Sequence, residues 1–272
     1  VTPEILRAAA KRLEAAGIDN SMSEVRRLWE AAFPRRFADY DEATDGTALG
    51  RFEEFVARRA AREPFSHISG GRSFWKHRFK VTPDVLDPRP ETETLVELAL
   101  SEPFQRVLDL GTGSGCILIS LLAEQKDATG VGTDISEKAV LIAGENAYRA
   151  EVNDRLILPI SDWFDDVGGR FDLIVSNPPY ISADEMAGLD PEVRNYEPHG
   201  ALTDYADGLT AYRRISAGAL DHLTPGGRLL VEIGSTQGEA VMALFEAAGL
   251  ENVAVHPDLD CRDRVVSGRN PA

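Results

Sequence analysis

The sequence predicts a doubly wound α/β domain with a mostly parallel seven-stranded sheet, preceded by a small helical bundle. Three observations carry that expectation. From Glu91 onward, short apolar runs alternate with amphipathic stretches of helical length, the pattern of a parallel sheet covered by helices. A Gly-rich turn, Gly111-Thr112-Gly113-Ser114-Gly115, joins the first strand candidate to a helix. Up to about Phe65, by contrast, apolar residues recur only at helical spacing.

The first helix shows Ile5, Leu6, Ala9 and Leu13 on one face and stops at Gly17. Val25, Leu28, Trp29 and Ala32 mark a second, with Ser23 as its cap and Pro34 as its stop; Phe52, Phe55, Val56 and Ala60 mark a third. Their faces are expected to pack as a bundle over residues 1–65. Residues 66–90 change texture, with Gly70-Gly71, an alternation over Trp75, His77, Phe79 and Val81, and then Pro83, Pro88 and Pro90. They read as a linker carrying a strand of a hairpin. The domain at 91–272 opens on a helix over 91–100, whose acidic first turn suits the helix dipole. Strands are expected at 107–110, 130–133, 156–158, 171–175, 228–233, 253–255 and 264–267, and helices at 117–124, 137–148, 209–222 and 236–248, the last stopped by Gly249.

With 45 acidic and 29 basic side chains the formal net charge is −16, the wrong sign for holding duplex nucleic acid by bulk electrostatics. The arginine pairs Arg26-Arg27, Arg35-Arg36 and Arg58-Arg59 read as solvated helix faces. Cys116 and Cys261 stand far apart, and His67 and His77 lack a partner at ligand spacing, so no metal site is expected. Two isolated cysteines, no leader and no apolar run of about eighteen residues point to a cytoplasmic, soluble chain.

In open α/β sheets ligands bind at the carboxyl ends of the strands, so the polar residues there are the candidates. The first strand ends in Asp109 and the Gly-rich turn, whose glycines admit close approach and leave N–H groups at a helix start. Its G-x-G-x-G spacing departs from the dinucleotide G-x-G-x-x-G and disfavours a pyrophosphate. Asp134 ends the second strand, where a carboxylate accepts both hydroxyls of a ribose or caps a helix together with Ser136. After the third come Asp162, an acceptor for an adenine amino group, and Trp163, a wall for its ring or a core residue. After the fourth, Asn177-Pro178-Pro179-Tyr180 leaves the ladder, because consecutive prolines lack N–H groups. Taken alone the stretch reads equally as a turn at a strand end or as a clamp, in which the Asn177 side-chain oxygen and a neighbouring carbonyl suit the two donors of a planar –NH₂ group, with Tyr180 stacked on the group that carries it.

These residues resemble those of class I S-adenosylmethionine-dependent methyltransferases that act on planar –NH₂ groups. Glu63-Pro64-Phe65, Ser73-Phe74-Trp75, Pro88-Arg89-Pro90-Glu91-Thr92-Glu93, Ser161-Asp162-Trp163-Phe164 and Val193-Arg194-Asn195-Tyr196-Glu197-Pro198 resemble, more closely, the bacterial peptide chain release factor glutamine methyltransferases. The resemblance covers residues 63–269. It implies S-adenosylmethionine as cofactor, held by Gly111, Thr112, Gly113, Ser114, Gly115, Asp134, Trp163 and Asn177, to which the strand-end reading adds Asp162. It implies a substrate glutamine, in the Gly-Gly-Gln motif of class 1 release factors, held by Asn177, Pro178, Pro179 and Tyr180, with Asn177, Pro178 and Tyr180 as the catalytic set. The bundle is then expected to recognise the protein substrate, with the chain a monomer that binds neither nucleic acid nor membrane. Two positions depart from the family pattern: Asp87 stands where an apolar residue is usual, and Cys261 where glycine is.

Arg89, Glu91 and Glu93 read equally as a brace of the cavity or as an interdomain salt bridge. The rival readings are a methyltransferase acting on an exocyclic amino group of adenine or guanine, a non-catalytic binding module of the same fold, and a nicotinamide dehydrogenase. Base modification needs a basic groove and a flipped base, which the acidic balance disfavours. The intact Gly-rich loop, Asp134 and Asn177 weigh against the second, and the loop spacing weighs against the third.

Overall fold

The computed structural model describes residues 3–33 and 46–271, which divide into two compact units. One gathers the described residues up to Gly71 together with Asp190–Tyr196; the other comprises Arg72–Leu189 and the chain from Glu197 onward. The first unit thus extends past Phe65 and takes in a segment from the middle of the sequence. Pro34 and the Arg35-Arg36 pair lie outside the described residues.

In the first unit, α1 (Pro3–Ala15), α2 (Ser21–Ala32), α3 (Gly46–Ala60) and α4 (Phe65–Ser69) close on one apolar cluster. Leu6, Ala9, Leu13, Val25, Leu28, Trp29, Ala32, Phe52 and Val56 are buried as their spacing predicts, whereas Ile5, Phe55 and Ala60 are only half-buried at its edge. Trp29 stacks on Phe33 at 3.8 Å between ring centroids and meets Phe52 edge-on at 4.9 Å. α1 ends as expected, with Gly17 at φ 72° and the Ile18 N–H reaching back to the Leu13 carbonyl. Ser23 is not the cap of α2. The helix starts two residues earlier, after Asn20 in the left-handed region at φ 51°, so Ser23 lies inside its first turn. The segment from the middle of the chain is the short helix Pro191–Tyr196, α8 in chain order. Glu192 fixes it through Arg59 at 3.0 Å and Arg62 at 2.6 Å, and the Tyr196 hydroxyl donates to the Ala61 carbonyl at 2.7 Å.

The second unit opens on a hairpin, β1 (Arg72–Phe74) and β2 (His77–Phe79). Trp75, expected within the strand, instead turns the hairpin at φ 52°, with its backbone N–H taken by Glu93 Oε1 at 2.7 Å. A 3-10 turn over Pro90–Thr92 leads into α5 (Glu93–Leu100). The alternating core follows: β3 (Arg106–Leu110), α6 (Cys116–Glu124), β4 (Thr129–Thr133), α7 (Glu137–Arg149), β5 (Leu156–Ile157), β6 (Phe171–Ser176), α9 (Thr210–His222), β7 (Leu223–Glu232), α10 (Gly238–Ala247), β8 (Glu251–Pro257) and β9 (Asp263–Arg269). The seven strands run in the order β5-β4-β3-β6-β7-β9-β8. All are parallel except β9, which is antiparallel to both neighbours. The chain winds outward from β3 on one side and from β6 on the other, so the switch point, where such folds bind ligands, lies between them.

Both faces of the sheet are apolar, as a parallel sheet covered on both sides requires. Leu173 and Val175 of β6 and Leu230 of β7 join α5 and α6 in one core; Ile174, Leu229 and Val231 join α9 and α10 in the other. The two-residue period carries this alternation to the strand ends. It puts Asn177 and Glu232 on the α5 face, and the pairing of Ser176 with Val231 makes them neighbours in register. Among the described residues no helix is long and apolar enough to cross a membrane, and no cluster of three or more His, Cys, Asp or Glu suits a metal ion.

Candidate active site

A cavity of about 330 Å³ opens where β3, β4, β5 and β6 end. Gly111, Thr112, Gly113, Ser114, Asp134, Asp162, Trp163, Asn177 and Pro179 line it, so most of the sequence-predicted residues come together. Gly115, Pro178 and Tyr180 do not. Its wall also takes Val85, Leu86, Pro88, Arg89 and Thr92 from a stretch read as linker, and Pro198 and Gly200 beyond α8.

The Gly-rich loop is held by its own bonds. The N–H groups of Thr112, Gly113 and Gly115 donate to the Thr133 carbonyl, Asp134 Oδ2 and the Thr112 carbonyl at 2.8, 2.9 and 2.8 Å. Three of the loop's N–H groups are thus engaged within the protein, that of Gly113 by the Asp134 carboxylate. Gly115, at φ 80°, serves packing, since a Cβ there would fall 2.7 Å from Ile119 Cδ1 and 3.2 Å from Ala143 Cβ. Below the loop, Thr112 Oγ1 donates to Asp109 Oδ2 at 2.7 Å, and burial pushes the Asp109 carboxyl up to about 7.

Asp134 Oδ1 accepts the Ser136 N–H at 2.9 Å, and Ser136 in turn caps α7 by accepting from the Ala139 N–H. Asp134 thus braces the start of α7 together with Ser136, the second of the two readings given for it. The N–H groups of Gly113 and Ser136 donate to opposite oxygens of the carboxylate, and lone pairs remain that a vicinal diol could use. Burial raises this carboxyl above its ordinary value, against the N–H groups of Ser136, Gly113 and Ile135. Trp163 adopts φ 56° and lays its ring beside the loop, where a Cβ on Gly111 would come within 4.0 Å of Cζ3. Asp162 lines the rim, but its Oδ2 pairs with the exposed Arg214 at 2.6 Å. A ligand with a ribose, a flat ring and a small polar tail fits this wall.

At the other end, Asn177 Nδ2 donates to Thr92 Oγ1 at 3.2 Å. Its Oδ1 is buried and accepts no hydrogen bond from any described residue. Leaving such an acceptor without a partner costs roughly 1–3 kcal/mol, which a ligand N–H placed there would recover. Thr92 is joined at this end by the fully buried Glu232, the neighbour of Asn177 in register, whose carboxyl burial pushes up to about 7. Sequence reasoning missed both. The available signal was a carboxylate at an alternating, otherwise apolar position of a strand.

Tyr180 departs from its expected role as a stacking platform. Its ring packs on the apolar cluster of β7, α9 and α10, and burial pushes its phenol up to about 12. Its carbonyl accepts Gln237 Nε2 at 2.9 Å, and Gly208 passes so close that a Cβ would lie 2.3 Å from that oxygen. The side chain therefore anchors the strap that Asn177 begins. Arg89 pairs with Glu197 at 2.6 Å within the same unit, which answers the salt-bridge question for this residue, and Glu93 holds the hairpin turn. Cys261 stands at φ 60°, a backbone region that favours glycine, the residue the family resemblance leads one to expect there. Asp87 is buried between Arg72 and Arg89, 3.9 Å from each.

Comparisons with known proteins agree with this geometry. The family model described as the methyltransferase small domain matches residues 85–189, and that of the PrmC N-terminal domain matches residues 4–70. A release factor glutamine methyltransferase from Cereibacter sphaeroides is 56% identical over 99% of this chain and 98% of its own. One from Caulobacter vibrioides is 43% identical over 97% of this chain and 95% of its own. Among solved structures, a methyltransferase from Pyrococcus furiosus shares the fold at 17% identity, with a TM-score of 0.55 over 84% of this chain and 100% of that one. The chain belongs to the release factor glutamine methyltransferase family.

Proposed function

We propose that this chain transfers the methyl group of S-adenosylmethionine to the side-chain amide nitrogen of the glutamine in the Gly-Gly-Gln motif of class 1 release factors. The observation that carries this reading is Asn177 Oδ1, a buried acceptor that no described residue supplies with a donor, on the wall of a nucleoside-sized cavity. The Gly111–Ser114 loop, Asp134 and Trp163 hold the cofactor, which supplies an electrophilic methyl group on a sulfonium when bound.

An amide nitrogen is a poor nucleophile because its lone pair is delocalised into the carbonyl. The chain compensates by placement. Asn177 Oδ1 and the Pro178 carbonyl accept the two amide hydrogens, which turns the nitrogen toward the methyl; such positioning contributes on the order of 7–11 kcal/mol in favourable cases. The same dipoles stabilise the positive charge that grows on nitrogen during attack. Asn177 Oδ1 and the Pro178 carbonyl would hold the nitrogen in this attitude through the transfer, and its surplus proton would then pass to water. Tyr180 acts through the strap it anchors. The first unit reads the protein substrate, and the enzyme works as a cytoplasmic monomer.

The test is transfer of a labelled methyl group to a purified class 1 release factor, beside its Gly-Gly-Gln→Gly-Gly-Ala variant and a panel of DNA and RNA. Label on the wild-type factor alone is expected. Label on nucleic acid would move the acceptor to a base amino group.

A further inference from the structure

We propose that Arg89 receives the α-carboxylate of the methionyl part of S-adenosylmethionine and so selects that cofactor over an analogue lacking the carboxylate, an assignment that rests on the cofactor reading above. A sulfonium carries three carbon branches. In this cavity the adenosyl branch has the Gly-rich loop, Asp134 and Trp163, and the methyl branch has to face Asn177. The amino-acid branch is left with the remaining wall, which Val85, Leu86, Pro88, Arg89 and Thr92 supply.

Charge decides what that wall is for. The described residues lining the cavity include three carboxylates, Asp84, Asp134 and Asp162, and one cation, Arg89. Asp84 and Asp162 are met by Lys138 and Arg214, at 2.7 and 2.6 Å, but neither of those cations lines the cavity. A site of this sign, in a chain of net charge −16, suits a sulfonium and repels a carboxylate. An anionic ligand group that leaves water there needs a cation of its own. A guanidinium presents five N–H donors in a planar fork that matches a carboxylate.

Arg89 is also held in place. Its Nη2 donates to Glu197 Oε1 at 2.6 Å, and its Nη1 lies 3.9 Å from Asp87 Oδ2. Both carboxylates are buried, whereas the Arg89 side chain keeps 30% of its exposure, so they fix the guanidinium without covering it. Glu197 takes one of its five donors. The backbone ties the same residue to the clamp: the Arg89 carbonyl accepts the Thr92 N–H at 3.1 Å, and Thr92 Oγ1 accepts Asn177 Nδ2 at 3.2 Å. A carboxylate seated on Arg89 would therefore register the amino-acid branch against the residue that faces the methyl group.

The test is calorimetric, on the full chain, with S-adenosylmethionine and its decarboxylated analogue as ligands and Arg89→Met and Arg89→Lys as variants. Arg89→Met is expected to weaken S-adenosylmethionine by about tenfold to a hundredfold, as for a lost hydrogen bond to a charged group. The Kd of the decarboxylated analogue should stay within about threefold of the wild-type value. Arg89→Lys, which keeps the charge beside Glu197 and loses the fork, should fall between the two for S-adenosylmethionine alone, and it carries the test should Arg89→Met fail to fold. Equal weakening of both ligands, or of neither, would overturn the assignment. If the wild-type chain binds S-adenosylmethionine but methylates no release factor, the functional reading fails and the affinities still decide the role of Arg89. A wild-type chain that bound neither ligand would end the cofactor reading and this assignment with it.

Discussion

The two ends of the cavity hold their polar groups in opposite ways. Asp134, at the Gly-loop end, has a backbone donor on each carboxylate oxygen, whereas Asn177 keeps a buried oxygen for which no described residue supplies a donor. A group already bonded loses little when its ligand leaves and gains modestly when it arrives. A buried acceptor left unpaired penalises every occupant that brings no N–H to it, which is how a site rejects an analogue lacking the matching donor. One end is therefore built for retention, and the other for discrimination.

The sharpest way to break this contrast is Asn177→Ala, which should lower transfer by at least about a thousandfold, since placement and charge stabilisation are lost together. Cofactor affinity measured by calorimetry should change little. A variant that turned over normally would dissolve the distinction between the two ends.

Next in size is the pH dependence at the Asn177 end. Burial dominates at Glu232 and raises its carboxyl from 4.5 to about 7, against Thr92, Arg264 and Arg89 and with Glu91. The folded state then binds more protons than the unfolded one between those values. Stability contributed by Glu232 is fully present below about 4.5 and lost as pH rises through about 7, an effect on the order of 3 kcal/mol. Asp109 titrates in the same direction and window. Thermal unfolding followed from about pH 5 to about pH 8 should show Tm falling, with a shallower fall in Glu232→Gln. An identical slope in that variant would place the titration elsewhere.

How much of this was legible in the sequence depends on the range of the contact involved. β3 to β9 and the long helices were readable because burial on a strand or helix face imposes a period on neighbouring residues. Where a local feature competed with that period, as at Trp75, whose N–H is drawn out of the ladder by Glu93, the reading overextended the strand. The loop, Asp134 and Asn177 were readable because strand ends converge in this fold. Thr92 and Glu232 were not. Their partnership with Asn177 joins residues 85 apart in one case and adjacent strands in the other, and no local pattern announces it. The placement of α8 in the first unit depends likewise on Glu192 meeting Arg59 and Arg62, more than 120 residues away.

At the Gly-loop end, Asp134→Ala should weaken cofactor binding by about tenfold to a hundredfold, the scale of hydrogen bonds to a charged group, with kcat at saturating cofactor nearly preserved. An unchanged Kd would leave Asp134 as a cap for α7 alone. The smallest effect belongs to Asp162→Ala. Its carboxylate is already engaged by Arg214 on an exposed rim, so the loss should stay within about 1 kcal/mol. A hundredfold loss of cofactor affinity there would mean that the pair opens to meet the adenine.

The central claim is that Asn177 Oδ1 holds the nitrogen that is methylated. A crystal structure of the chain with S-adenosylhomocysteine and a peptide containing Gly-Gly-Gln tests it most directly. The account predicts the glutamine amide nitrogen at about 3 Å from both Asn177 Oδ1 and the Pro178 carbonyl, within hydrogen-bonding range. An amide bound elsewhere, with Oδ1 turned onto Thr92, would contradict it.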